Sequence, residues 1–351
     1  MSNFGKIVPL VVVGTFYFGV LTYPVLRILG LTFPDWQPGT ATLLVVLVGP
    51  LAGRLSYEWL PNPLTRALSV GTLTWLGFSF IAFMFLVPWE LANLIHALPA
   101  RASGWSLLAA TGLVGAGGFL NTQLLAVRTI EVRAPQLVRS INIVQISDVH
   151  VGSRSSRFLT RVVKRINKLS ADYVFITGDL IDGRNISERE LSALANLEAP
   201  TYYIIGNHER YVDLEAICTR LRNLGVHVLR NESHMLGDIQ LVGIDDAESK
   251  TQVGTVLPTI DAMPDKFRIL LYHRPDGVRE AAAWGVHLML CGHTHHGQIF
   301  PVNYLVKRFF PQFRGSYRED DLLLYISPGT GTWGPMLRLG SRSEISMIRL
   351  S

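Results

Sequence analysis

The run INIVQISDVH, residues 141–150, decides the fold of the chain that contains it. Its first six residues are rich in β-branched side chains and too few for a stable helix, so they read as a strand. The strand closes on a carboxylate and an imidazole two residues apart, Asp148 and His150. Working outward, four further runs end the same way. Tyr173 to Thr177 leads into Gly178-Asp179, and Tyr202 to Ile205 leads into Gly206-Asn207-His208-Glu209. Arg268 to Tyr272 leads into His273, and His287 to Cys291 leads into Gly292-His293-Thr294-His295. Short strands alternating with helical stretches predict a layered α/β domain. Metal-capable groups at the carboxyl ends of strands lie where an open α/β sheet puts its site.

Between the first two strands, Leu159, Val162, Val163 and Ile166 fall on one helix face, with Arg157, Arg161, Lys164, Arg165 and Lys168 opposite. That basic face is either solvated or rests on anionic lipid headgroups. Helices are expected over 187–197 and 214–224. Val226 to Leu229, Ile239 to Ile244, Leu322 to Ile326 and Ile345 to Leu350 are expected as strands of a second sheet layer.

Six of the ten histidines (150, 208, 273, 293, 295 and 296) stand at or beside strand ends, together with Asp148, Asp179 and Asn207. Four imidazoles, two carboxylates and an amide carbonyl, with no thiolate, suit borderline divalent ions such as manganese, iron or zinc. The two cysteines, Cys218 and Cys291, form no disulfide framework and no structural zinc pattern.

Upstream the composition changes. Residues 1–127 hold only eight charges: Lys6, Arg27, Asp35, Arg54, Glu58, Arg66, Glu90 and Arg101. Four charge-poor apolar runs, approximately 7–26, 36–53, 67–89 and 102–127, approach or exceed the roughly 20 residues that span a bilayer. The expected organisation is therefore a multi-span α-helical membrane domain over 1–127 and a catalytic domain over 128–351. The second run carries Gly49, Pro50 and Gly53, and a re-entrant course is the alternative there. With four spans, Lys6, Arg54, Arg66, Arg128, Arg133 and Arg139 face one side, against Arg27 and Arg101 on the other. The positive-inside rule then puts both termini, and the catalytic domain, in the cytoplasm of a cell with this protein in its inner membrane. The membrane half reads as an anchor, or as a groove for an acyl or polyprenyl chain built on Gly112, Gly115, Gly117 and Gly118. A formal net charge of +5 without a concentrated basic patch gives no reason to expect nucleic acid, and no obligatory protein partner is implied.

The ordered motifs DxH, GD, GNHE, H and GHTH resemble the calcineurin-like metallophosphoesterase superfamily from about Ile141 to the C-terminus. Gly297-Gln298, Ser327-Pro328-Gly329-Thr330-Gly331 and Glu344-Ile345 are similar to its membrane-associated bacterial branch of the YkuE and YaeI types. The chain departs from that branch at His296, where glycine is usual, at Ser343, where proline is usual, and in having no twin-arginine signal. The resemblance implies two packed β-sheets flanked by helices. It implies two divalent ions, Mn2+ first and Fe2+ or Zn2+ as alternatives. One ion is held by Asp148, His150, Asp179 and His295, and the other by Asp179, Asn207, His273 and His293, with Asp179 bridging. It further implies that His208 contacts the phosphoryl or leaving-group oxygen and donates a proton, with Asp182, or less readily Glu209, orienting it. Arg154, Arg274 and Arg338 are substrate contacts on charge alone, and His296 by its place beside the motif.

The expected function is a membrane-bound phosphoesterase whose amphipathic, phosphate-containing substrate is lipid-linked. Two features motivate this: the catalytic domain follows the last span closely, and YLVKRFFPQFRGSYR (304–318) mixes aromatic and basic residues as an interfacial segment does. A UDP-diacylglucosamine-type pyrophosphatase of lipid A synthesis is a specific instance within the superfamily. A phosphodiesterase for soluble substrates, an anchored protein Ser/Thr phosphatase and an inactive receptor or scaffold are the alternatives.

Overall fold

The computed structural model describes residues 13–351 and separates into two units. The first comprises the described residues up to Leu120 together with Gly334–Leu337, and the second comprises Asn121–Trp333 and Arg338–Ser351. In the first unit, α1 (Val13–Thr32), α4 (Pro63–Ile95) and α5 (Ala100–Asn121) are long and apolar enough to cross a membrane. Residues 7–12 of the first expected span, and Lys6, lie outside the described residues. The second expected span, 36–53, is instead two helices, α2 (Thr40–Leu47) and α3 (Gly49–Trp59), bent by 54°. Pro50, at the first turn of α3, cannot supply an N–H to continue the preceding helix, which accounts for the break. Asn62 caps α4 by accepting from the backbone of Leu64 and Thr65, at 2.9 and 3.1 Å.

The second unit is built on twelve strands. β1 (Leu125–Val132), β2 (Ile141–Ile146), β3 (Tyr173–Thr177), β4 (Thr201–Ile204), β5 (Val226–Val228) and β12 (Ser343–Leu350) form a sheet in the order β1-β12-β2-β3-β4-β5. It is parallel except where β12 meets β2. β6 (Glu232–Leu236), β7 (Ile239–Gly243), β8 (Phe267–Leu271), β9 (Leu288–Cys291), β10 (Gly315–Glu319) and β11 (Leu322–Ile326) form the other, in the order β10-β11-β9-β8-β7-β6. Its centre is parallel and its two edge strands are antiparallel.

The two sheets bury their facing sides in one core, in which Ile143, Phe175 and Ile204 of the first meet Leu241, Ile269 and Leu290 of the second. The outer face of the first sheet is covered by α6 (Ser156–Asn167) and α7 (Leu214–Asn223), through Leu159, Val162, Ile166, Ile217 and Leu221. The outer face of the second is covered by α8 (Val278–Trp284) and the turn Gln252–Val256. Strands buried on both faces must be apolar on both, which is why β9 (LMLC) and β11 (LLLYI) read as continuous runs rather than alternating ones. The architecture is thus two mixed sheets flanked by helices.

Three expectations are corrected. The residues expected to finish the fourth span, up to 127, leave the helix at Asn121 and enter β1, so the second unit starts at Asn121 rather than at 128. β5 and β12 belong to the first sheet, not to a second layer: the chain returns at its end to insert β12 between β1 and β2. The segment 304–318 is divided between α9 (Val302–Phe309) and β10, because Gly315 onward pairs with β11.

Candidate metal centre

Five of the strand ends converge. Asp148 and His150 follow β2, Asp179 follows β3, Asn207 and His208 follow β4, His273 follows β8, and His293 and His295 follow β9, so the site is built from both sheets. Of the seven expected ligands, five (Asp148, His150, Asp179, His293 and His295) have φ between 48° and 71°. Non-glycine residues rarely adopt that region, and their concentration at one place marks backbone held in position by its surroundings. Two glycines permit the close approach. A Cβ on Gly206 would collide with Asp179, and one on Gly292 with Ser147 and Asp148. Glu209, fully buried, ties the loops together by accepting from the backbone N–H groups of Asp179, Ile181 and Gly206 at 3.2, 3.0 and 2.8 Å. Burial, with Asp179 adding, pushes its carboxyl up to about 7.

The donor atoms form two sets. In one, His150 Nε2 lies 3.0 Å from His295 Nε2, which lies 3.3 Å from Asp148 Oδ1, and Asp179 Oδ2 is 4.0 Å from His150 Nε2. In the other, Asp179 Oδ2 lies 3.1 Å from His273 Nε2. His293 Nδ1 lies 3.3 Å from His273 Nε2 and 3.1 Å from Asn207 Oδ1. Asp179 therefore belongs to both sets. Imidazole nitrogens aimed at one another this closely need a proton or a metal ion between their lone pairs. In the metal-free chain a proton lies there, and a ring that keeps both of its protons is charged. Burial opposes that charge, but Asp179 and Asp148 push His273 up to about 10, and Asp182, Asp179 and Asp148 likewise raise His150. Burial and the neighbouring cation hold the partner rings neutral: His293 falls to about 3 and His295 lies well below its usual range. Asp179, despite burial, is held well below the ordinary carboxylate range by His273, His150 and His208. Each half thus sets two imidazoles beside a shared carboxylate, one ring raised and one lowered in pKa. The Nδ1 atoms of His150 and His295, both buried, have no hydrogen-bond partner. A donor set of imidazoles, carboxylates and an amide in two groups that share Asp179 fits two borderline divalent ions.

His208 stands at the open side. Its backbone N–H donates to Asp179 Oδ1 at 2.9 Å, and its Nε2 is 4.0 Å from Asp179 Oδ2. Burial lowers its pKa against the pull of Asp179, so the ring offers a neutral N–H. The residues around the opening are aromatic. The rings of Tyr211 and Trp333 lie edge-on to His208, at 5.7 and 6.0 Å, and Phe310 is 5.2 Å from His293.

Several expected roles are corrected by this geometry. Asp182 does not orient His208. It accepts from the Ser153 backbone at 2.9 Å and from the Ser153 hydroxyl at 2.5 Å, and its Oδ2 lies 3.4 Å from His150 Nδ1, close enough for attraction but not aligned as a hydrogen bond. Glu209 likewise clasps backbone rather than His208. Arg154 and Arg338 are buried and turned away from substrate. Arg154 donates to the hydroxyl and carbonyl of Thr122, at 3.2 and 3.0 Å, and lies 3.8 Å over the Phe158 ring. Arg338 donates to the carbonyls of Pro328, Gly329 and Gly331, fixing the loop beneath Asp148 and His295. Arg274 is engaged by Asp246 at 2.9 Å. His296 turns from the metal-capable groups to a ring contact with Phe313, at 5.4 Å. The aromatic opening was not foreseen, because Tyr211, Phe310 and Trp333 are far apart in sequence and carry no motif.

The fold and the two donor sets define a metallophosphoesterase, and the chain belongs to the calcineurin-like phosphoesterase family, whose profile matches residues 141–297. An uncharacterized metallophosphoesterase of Helicobacter pylori is 32% identical over 322 residues, spanning 85% of this chain and 86% of its own length. One from Aquifex aeolicus is 32% identical over 68% of this chain and 96% of its own length. A bovine protein named as a transmembrane protein with metallophosphoesterase domain is 35% identical over 268 residues, which span 68% of this chain and 60% of that protein.

Proposed function

We propose that the chain is a membrane-bound phosphoesterase that hydrolyses a lipid-linked phosphodiester, pyrophosphate or monoester. The observation that carries the lipid-linked part is the aromatic opening formed by Tyr211, Phe310 and Trp333 around His208 and His293. Three aromatic rings at the mouth of the site give apolar surface on which an acyl or polyprenyl group of the substrate can rest. Two further features support the reading. Three apolar helices of membrane-crossing length precede the domain. α9, next to the GHTH loop in sequence, exposes Tyr304, Leu305 and Phe309 beside Lys307 and Arg308, as an interfacial helix does.

Asp148, His150, Asp179 and His295 would hold one divalent ion, and Asp179, Asn207, His273 and His293 the other. Mn2+ is the first choice and Fe2+ or Zn2+ the next. Bound there, the ions lower the pKa of water and neutralise phosphoryl oxygens. The protein's own part is to present the phosphorus to that pair. His208 donates its N–H to a phosphoryl or leaving-group oxygen and, in the fraction that carries a second proton as imidazolium, passes that proton to the group that departs and returns to the neutral ring. Asp182, 3.4 Å from His150 Nδ1, attracts the proton to that nitrogen electrostatically and so favours Nε2 for the ion. Glu209 and Arg338 hold the loops that carry Asp179 and His295.

The flanking arginines support a cytoplasmic catalytic domain at the inner membrane as part of this reading. A substrate panel on metal-loaded, detergent-purified protein tests the assignment, setting soluble nucleotide esters against lipid-linked phosphates and pyrophosphates, a UDP-diacylglucosamine-type substrate among them. Preference for the lipid-linked members is expected. Equal or faster turnover of the soluble esters overturns the lipid-linked reading while leaving the phosphoesterase standing.

A further inference from the structure

Beside His295, the next residue lines a different cavity. This space, of about 520 Å³, lies wholly within the second unit, and its wall carries Arg128, Arg314 and Arg342 with His296 and Tyr325. All three arginines are exposed. Among the described residues none of the three makes an ion pair or side-chain hydrogen bond, and Arg314 only lies near the Phe313 ring, at 5.9 Å. The one acidic residue on the wall, Glu344, is already engaged, accepting from the Tyr325 hydroxyl and from Ser346 Oγ. The Asn121 amide is spent on the carbonyls of Arg338 and Ser341, at 3.1 and 2.7 Å.

This chain treats its structural arginines otherwise. Arg230 sits between Asp245 and Glu215, and Arg338 is wrapped in backbone carbonyls. Glu344 offsets one of the three charges, but three guanidinium groups in one cavity without a direct carboxylate partner still repel one another, and an anion entering between them relieves that repulsion. The planar fork of arginine matches two oxygens of one phosphate, and three forks exceed what a single carboxylate can use.

The cavity is also next to the chemistry. His296 follows the expected ligand His295, and Pro328 of the same wall precedes Gly329, where a Cβ would stand 3.2 Å from Asp148 Cβ and 3.3 Å from His295 Nδ1. We propose that this cavity binds a second phosphate group, distinct from the one hydrolysed at the metal centre. The choice of phosphate over other anions rests on the phosphoesterase reading; the recognition of an anion does not. The phosphate has two possible sources, the distal phosphate of the substrate itself or the headgroup of an anionic phospholipid.

The test measures equilibrium binding of radiolabelled inorganic phosphate to the full chain in neutral detergent. The metal centre is disabled by Asp179→Asn or, should that variant fail to fold, by chelator treatment of the unaltered chain. Saturable, salt-sensitive binding is expected, weakened about tenfold or more by Arg314→Gln combined with Arg342→Gln. No saturable binding, or binding that the double substitution leaves unchanged, overturns the proposal. Once binding is seen, micelles doped with phosphatidylglycerol rather than phosphatidylcholine name the source. Displacement by the former identifies the headgroup, and no displacement identifies the substrate's own phosphate. Turnover of bis(p-nitrophenyl) phosphate by the metal-loaded chain is read alongside. The double substitution should leave it unchanged, and its absence in the parent chain defeats the phosphoesterase reading without touching the binding result.

Discussion

Asp182 reaches the metal centre through His150, since its carboxylate faces His150 Nδ1 and is anchored by Ser153. Asp182→Asn is therefore expected to weaken metal affinity by roughly 10- to 100-fold, with turnover recovering when metal is supplied in excess. Full metal content with lost turnover would return Asp182 to the role of orienting His208. His208→Ala is expected to leave metal content unchanged and lower turnover by roughly 10²- to 10⁴-fold. The loss should shrink for nitrophenyl esters, whose leaving group needs no proton; elemental analysis showing metal loss would make His208 a ligand instead. Protonation gives a third handle. In the metal-free chain the extra proton on His273, pushed up to about 10 by Asp179 and Asp148, stands where an ion binds, so loading at neutral pH must expel it. At least one proton should appear per chain in an unbuffered titration, and affinity should strengthen as pH rises. Affinity that falls with rising pH would contradict this charge assignment. The expected ligands were legible as candidates because each closes a strand with a recognisable motif, and the fold brings them together. The partners of Asp182, Arg154 and Arg338 were not, because a buried polar side chain is satisfied by whatever loop the fold brings to it.

At the scale of elements, the errors lie where one composition serves two structures. Leu124 to Val127 continues the apolar character of α5, yet Leu125–Val132 pairs residue for residue with β12, and only that distant partner makes it a strand. The break between α2 and α3 was signalled by Pro50, but its consequence for topology is smaller than the sequence suggested. If the bent pair crosses the membrane, Lys6, Arg54, Arg66, Arg128, Arg133 and Arg139 share a side. If it does not cross, Arg27 replaces Lys6 in that group, and six basic residues still accompany the catalytic domain against two opposite. On this count the crossing number changes the expected side of the N-terminus, while the positive-inside rule still favours a cytoplasmic catalytic domain. A C-terminal fusion to a reporter active only in the cytoplasm should give signal, and an active C-terminal alkaline phosphatase fusion with that reporter silent would refute the orientation.

For the whole molecule, the sequence disclosed that strands end in metal-capable residues but not how those particular strands divide between two sheets. β2, β3 and β4 contribute Asp148, His150, Asp179 and Asn207 from one sheet, and β8 and β9 contribute His273, His293 and His295 from the other. Pairing partners depend on contacts distant in sequence, which local patterns do not encode. Because both donor sets share Asp179, the centre stands or falls as one unit, and the central claim is that two ions held there perform the hydrolysis. The direct measurement is metal content by elemental analysis together with turnover of bis(p-nitrophenyl) phosphate, for the unaltered chain and for Asp179→Ala. Two ions per chain with turnover abolished by chelation are expected for the former, and loss of both ions and of activity for the latter. Turnover that survives exhaustive chelation, or an Asp179→Ala chain that remains active, would contradict the account.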